Sequence, residues 1–286
     1  MTSAMPRWTE FDRGDEKGPR GSDADRDALQ IAKDPATAKM TKSTKPAARI
    51  DKLMDLAGRA LVETHYFECE AACIEALALA HGAADYERMA RILLPLQEAR
   101  RQIRLQAVDS GNLFLVNEPI PETDGLDPGC YLIGPPLVGA DARDLHDRAT
   151  REEIPVVVLA FEPPVKSVKL DRHPGDWPVV MIGPVTVRAY LAPPEDGTVT
   201  MEWFEAACEA IGDRAITDVD EGVGPISRVN DLYERLQTVS DHEKLHQALE
   251  AACREAVVHV ASIPAKRSKA AVGGGDIEAE EGTDEA

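Results

Sequence analysis

Residues 131–161 read YLIGPPLVGADARDLHDRATREEIPVVVLAF, and the reading of this stretch decides the fold. Tyr131-Leu132-Ile133 is an apolar run closed by Gly134-Pro135-Pro136, the punctuation that ends a strand. Residues 140–153 follow, with Ala142, Leu145, His146 and Ala149 at helical spacing. Residues 154–161 then carry Val156-Val157-Val158-Leu159-Ala160, apolar at every position, as in a strand covered on both faces. Strand, helix and strand in succession predict a βαβ unit.

Working outward, 113–116 and 179–190 are further strand candidates. In the second, Val185, Val187 and Ala189 alternate with Thr186, Arg188 and Tyr190, which predicts one face turned to water. Pro163-Pro164, Pro174-Gly175 and Pro193-Pro194 mark loops. On the N-terminal side the period changes. Ile50, Leu53, Leu56, Ala57, Ala60 and Leu61 form one helical stripe, and Cys69, Ala72, Cys73, Ala76, Leu77 and Ala80 a second, with a turn at 64–66. A third helix over 84–107 turns Tyr86, Met89, Ile92, Leu93, Leu96 and Ile103 inward, and Pro95 predicts a kink in it. Helices return at 201–211, closed by Gly212, and at 227–238 and 241–260, with Ser227 and Asp241 as N-caps. Between them, 218–224 (DVDEGVG) lacks the length and the terminal Glu of a calcium loop.

The pair at 50–81 resembles a tetratricopeptide repeat. Leu56-Ala57, Ala60, Tyr66, Cys69, Cys73 and Ala76-Leu77 fall on that family's positions, although Cys73 stands where the family has a bulky aromatic and no Pro closes the unit. The resemblance spans about 34 residues, with the start of a neighbour at 85–107, and it implies an antiparallel helical hairpin that binds proteins. An ungapped echo lies 180 residues on. Asp51, Leu56, Ala71-Ala72-Cys73, Glu75 and Ala76 recur as Asp231, Leu236, Ala251-Ala252-Cys253, Glu255 and Ala256. There are too few contiguous hairpins for a self-sufficient solenoid, so their inner stripes need the strand region or another protein to cover them.

Composition narrows the function. Of 286 residues, 32 are Lys or Arg and 51 Asp or Glu, a formal charge of −19, which argues against a protein that wraps nucleic acid or anionic membrane. Aromatic content of 5% counts against a base-stacking surface. The polar N-terminus carries no signal-peptide pattern, and no uncharged run is long enough to span a bilayer. The five cysteines, Cys69, Cys73, Cys130, Cys208 and Cys253, are odd in number and irregularly spaced. They read as buried small hydrophobes in a reducing cytoplasm rather than as a disulfide framework.

Five regions follow: a disordered arm at 1–46 whose end is Lys-rich, a helical tetratricopeptide-like region at 47–108, a strand-rich region at 109–196, a C-terminal helical region at 197–263, and an acidic disordered tail at 264–286 that opens with the basic stretch AKRSK. The fold class is α+β or α/β, with helical hairpins packed on a small mixed β-sheet.

The sharpest chemical motif is His242-Glu243-Lys244-Leu245-His246, which fits H-E-x-x-H. On a helix, residues four apart share a face, so both imidazoles could hold one Zn²⁺ with Glu243 activating its water. Resemblance to zinc metallopeptidases ends there: Lys244 is charged, and Leu249 and Ala252 occupy the extended motif's Gly and third His positions. Gly134-Pro135-Pro136-Leu137-Val138-Gly139 sits where α/β proteins bind phosphate, but prolines remove the donors a phosphate needs. Arg143, Asp144, His146, Asp147 and Arg148 read as a solvated helix face. Asp171, His173 and Asp176 read as a polar loop. The sequence points to a non-enzymatic protein-interaction or scaffolding module with a protein partner and no cofactor. The alternative is a zinc-dependent hydrolase using His242, Glu243 and His246, and a third reading is a small-molecule sensor built on the strand region.

Overall fold

A computed structural model describes residues 46–162, 175–194 and 196–262. The arm, the acidic tail with AKRSK, and Asp171 and His173 lie outside the described residues. Three helices come first, α1 (Pro46–Val62), α2 (Tyr66–Gly82) and α3 (Tyr86–Asp109). Five strands follow, with one helix among them: β1 (Leu113–Val116), β2 (Gly129–Ile133), α4 (Gly139–Arg151), β3 (Val156–Phe161), β4 (Trp177–Ile182) and β5 (Thr186–Leu191). The described chain ends on α5 (Met201–Thr217), α6 (Pro225–Thr238) and α7 (Glu243–Ser262). It is an α+β protein in which helical hairpins pack on a mixed sheet of order β1-β2-β3-β4-β5.

The β2–α4–β3 unit forms as its sequence predicts. The two strands pair in parallel from Gly129↔Val156 to Ile133↔Ala160. β1 adds a third parallel strand, and β4 and β5 complete the sheet as an antiparallel meander. The period of two divides the side chains between two cores. Tyr131, Ile133, Val156, Val158, Ala160 and Val180 meet Ala142, Leu145 and Ala149 of α4. Leu132, Val157, Leu159, Val179 and Val187 join the larger core, to which α1, α2, α3, α5, α6 and α7 all contribute.

α1, α2 and α3 are joined by two turns of the same build. Thr64 and Ala84 take positive φ, 64° and 51°. The next residue's N–H donates back into the preceding helix, His65 to the Ala60 carbonyl at 2.8 Å and Asp85 to the Ala80 carbonyl at 2.9 Å. This is a left-handed helix-end conformation that satisfies an otherwise orphaned carbonyl. Asp85 then caps α3, its carboxylate accepting from Arg88 N at 3.1 Å. Small side chains bring these helices close, and Cys69, Ala72, Cys73, Ala76 and Ala80 are all buried. So are Ala252, Cys253 and Ala256, the counterparts of Ala72, Cys73 and Ala76 in the internal echo.

Several boundaries move. Pro46 opens α1 rather than ending the arm, and α3 runs through Pro95 as one element. α6 starts at Pro225, before Ser227, because Pro suits the first helical position. α5 continues past Gly212 to Thr217, so Gly212 is inside a helix and does not end one. Among the described residues, no helix is long and apolar enough to cross a membrane.

Candidate functional site

The H-E-x-x-H motif straddles the start of α7. His242 precedes the helix, is 2% exposed, and lies against α5. A Cβ on Gly212 would stand 2.1 Å from His242 Cγ, so the missing side chain of Gly212 is what admits the ring. His242 Nε2 is 3.4 Å from Glu209 Oε2 and 3.6 Å from Asp213 Oδ1, neither aligned as a hydrogen bond. Among the described residues, neither ring nitrogen of His242 has a hydrogen-bond partner.

His246 faces elsewhere. It is 1% exposed, with Nδ1 3.0 Å from the His242 carbonyl oxygen and Nε2 3.4 Å from Nη1 of Arg100 on α3. A guanidinium only donates, so Nε2 accepts, and Nδ1 carries the proton and donates to the carbonyl. Burial, reinforced by the Arg100 charge, pushes the His246 pKa down to about 3 and keeps the ring neutral. Its one lone pair therefore points at a cation, a poor place for a second cation such as Zn²⁺. Glu243 is exposed. The structure thus turns His242 toward α5 and His246 toward α3. Among the described residues, no group of three His, Cys, Asp or Glu side chains is placed to hold a metal ion.

What the motif does build is one side of a buried polar junction. Arg100 is 8% exposed; its Nε donates to Glu70 Oε1 on α2 at 2.7 Å, and its Nη1 donates to the Ser240 carbonyl between α6 and α7 at 3.0 Å. These bonds use Nε and Nη1 of Arg100, not Nη2. This ion pair stands at a cleft in the sheet. β3 and β4 pair at only two positions, Ala160↔Val180 and Phe161↔Val179, and then part. Where they part lies a cavity of about 300 Å³. Leu96 and Leu236 line it from the larger core, Val158, Val180 and Ile182 from the smaller, Arg100 from α3, and His146 and Arg143 from α4.

The charged face of α4 is therefore not wholly solvated, which corrects the sequence reading. Arg148 is 8% exposed, donating to the carbonyls of Pro121, Glu122 and Asp124 and to Glu152 Oε1. Arg143 and His146 line the cleft, and Arg143 Nε donates to both oxygens of Asp147 at 3.0 and 3.1 Å. His146 and Arg143 hold the Asp147 carboxyl below its ordinary range, so it is ionised. Nothing local to residues 143–148 distinguishes inward from outward charges. The one available signal was the helical phase of the stripe Ala142, Leu145, His146 and Ala149, which includes His146 and leaves Arg148 at its margin. Glu70 and Arg100 carried no signal at all.

The cysteines are free and buried throughout. Burial raises Cys130 to about 11 and Cys253 to about 12, which leaves both as thiols at neutral pH. No protein-family model matches the chain, and neither does a curated protein or a solved structure.

Proposed function

We propose that this chain is a non-enzymatic protein-interaction module whose docking face runs along α3 and α7. The observation that supports it is a set of exposed aliphatic side chains. Leu94 of α3 is 70% exposed and shares a groove with Ala90 of the same helix and with Val257 of α7, itself 37% exposed. Isolated apolar side chains on a surface need no explanation, but apolar side chains that face each other across a groove between two helices do. Glu87, Arg91, Glu250 and Arg254 flank the groove with both signs of charge. The tetratricopeptide-like build of α1 to α3 belongs to the same reading, since helical hairpins of that kind serve as binding scaffolds.

The occupant is an amphipathic helix of a basic partner protein. A trough between two helices accepts a third by its apolar face. A chain of charge −19 repels its own copy and attracts a cation-rich partner over several ångströms. The module works in the cytoplasm, where five buried thiols stay reduced. The interior commitments of His242 and His246 leave the zinc-hydrolase reading without an observation in its favour.

Quantitative capture from cell extract by the full chain, Leu94→Glu, Val257→Glu and Leu115→Glu tests the docking face. Leu115 is equally solvent-facing at 61% exposed but lies on β1, away from the groove. The expected result is a basic partner retained by wild type and Leu115→Glu, lost with either groove variant, and weakened by salt. Identical capture by all four proteins overturns the proposal, and so does a wild-type dimer in light scattering that Leu94→Glu dissociates.

A further inference from the structure

We propose that the cleft where β3 and β4 part is a binding site for a small organic monoanion, a carboxylate carried on a compact apolar body. The cleft is a structural feature of the sheet and not a surface irregularity. β2–β3 and β4–β5 pair along their lengths, whereas β3–β4 pairing stops after two positions, and the cavity joins the core beneath α4 to the core beneath α3. At about 300 Å³ it falls at the small end of the range for ligand pockets. A further pocket of about 30 Å³ continues past Arg100, room for a water molecule.

The chemistry of the lining selects the ligand. The apolar part, from Leu77, Leu96, Val158, Met181 and Leu236, suits a hydrocarbon body. The polar end holds Arg100, whose side chain is nine-tenths buried and whose bonds to Glu70, Ser240 and His246 use Nε and Nη1 and not Nη2. A ligand carboxylate oxygen can accept from Nη2 in a charge-assisted bond. His146 lines the same cavity beside Asp147, its Nδ1 3.7 Å from Asp147 Oδ1. Glu70 and Asp147 already neutralise Arg100 and Arg143. A phosphate dianion meets these two carboxylates with twice the repulsion that a monoanion does.

Entry is between α2, α4 and α6, where Ile74 and Ala78 are open to solvent beside Tyr233 and Gln237. His81 stacks on Tyr233 with ring centroids 4.1 Å apart and shares a 2.9 Å hydrogen bond with Asn230 Oδ1, which fixes α2 against α6 beside the entrance. The docking face on α3 and α7 lies elsewhere, so ligand binding stands or falls independently of the partner.

The test is calorimetric titration of the full chain with phenylacetate, its uncharged isostere phenylacetamide, and phenyl phosphate. Phenylacetate is expected to bind saturably, and the amide at least about tenfold more weakly, the loss of one charge-assisted hydrogen bond. Ala78→Phe, a change at an exposed helix position that fills the entrance, is expected to abolish binding while leaving circular dichroism and Tm unchanged. Arg100→Lys is expected to weaken phenylacetate and leave the amide unaffected. If that variant fails to fold, Ala78→Phe still decides. The proposal is overturned if phenylacetate shows no saturable heat up to about 10 mM, if the amide binds equally well, if phenyl phosphate binds more tightly, or if Ala78→Phe binds as wild type does.

Discussion

His246 is the residue at which pH and fold are most directly joined. Its folded pKa of about 3 lies below the ordinary imidazole value of 6.5, so the unfolded chain takes up the proton first. The stability it contributes is complete above pH 6.5 and is lost as pH falls toward 3, by up to about 1.4 kcal/mol per unit. Urea denaturation is expected to show a shallower acid loss for His246→Gln than for wild type between pH 6.5 and 4.5; parallel curves would assign the titration elsewhere. Arg100 and Glu70 obey the asymmetry of buried ion pairs. Glu70→Ala strands a guanidinium that is nine-tenths buried, at about 3 kcal/mol, while replacing both by Met is expected to recover most of that loss. Gly212 is fixed by its neighbour. In Gly212→Ala the methyl would stand 2.1 Å from the His242 ring, an overpacking cost of about 3 kcal/mol that the Gly212→Ala/His242→Ala double variant should relieve.

Among the elements, α2 is the most constrained by size. Its buried face is Cys69, Ala72, Cys73, Ala76, Leu77 and Ala80, small at all but one position, and α1 and α3 close on it from both sides. Ala76 is fully buried, so Ala76→Leu is expected to cost about 2 kcal/mol in thermal or urea unfolding, whereas the same change at exposed Ala71 should be within about 0.5 kcal/mol of neutral. α7 shows the opposite condition at its end. After Ala256 every residue to Ser262 is exposed, although three of the six are Val. An amphipathic stripe predicts a helix there, but only the neighbouring helices say where the cover stops.

For the whole molecule, the larger core gathers side chains from α1 to α3, the sheet, and α5 to α7, so the helical and strand-rich regions share one interior. Trp177 on β4 and Trp203 on α5 meet edge to face with ring centroids 5.7 Å apart, at the junction of sheet and C-terminal helices. Urea unfolding followed by tryptophan fluorescence and by far-UV circular dichroism should therefore give coincident midpoints, while separated transitions would mean that the helices and the sheet unfold as independent units. The βαβ unit, the β5 alternation and the helical stripes were legible in the sequence because each follows from a local period, two for a strand and 3.6 for a helix. The charged positions were not. Arg100 finds Glu70 across 30 residues, the Ser240 carbonyl across 140 and His246 across 146, and no local pattern encodes such pairings. Likewise the spacing of His242 and His246 was plain, but the direction of each ring depends on a helix of another region: α5, opened by Gly212, and α3, bearing Arg100. The sequence by itself thus determined the elements and the faces they bury, because apolar periodicity is a property of neighbouring residues. Only the tertiary structure decided which charges turn inward, where the sheet parts, and that the cleft so opened is lined by the buried Arg100 guanidinium, because burial of a charge depends on what the rest of the chain brings to it.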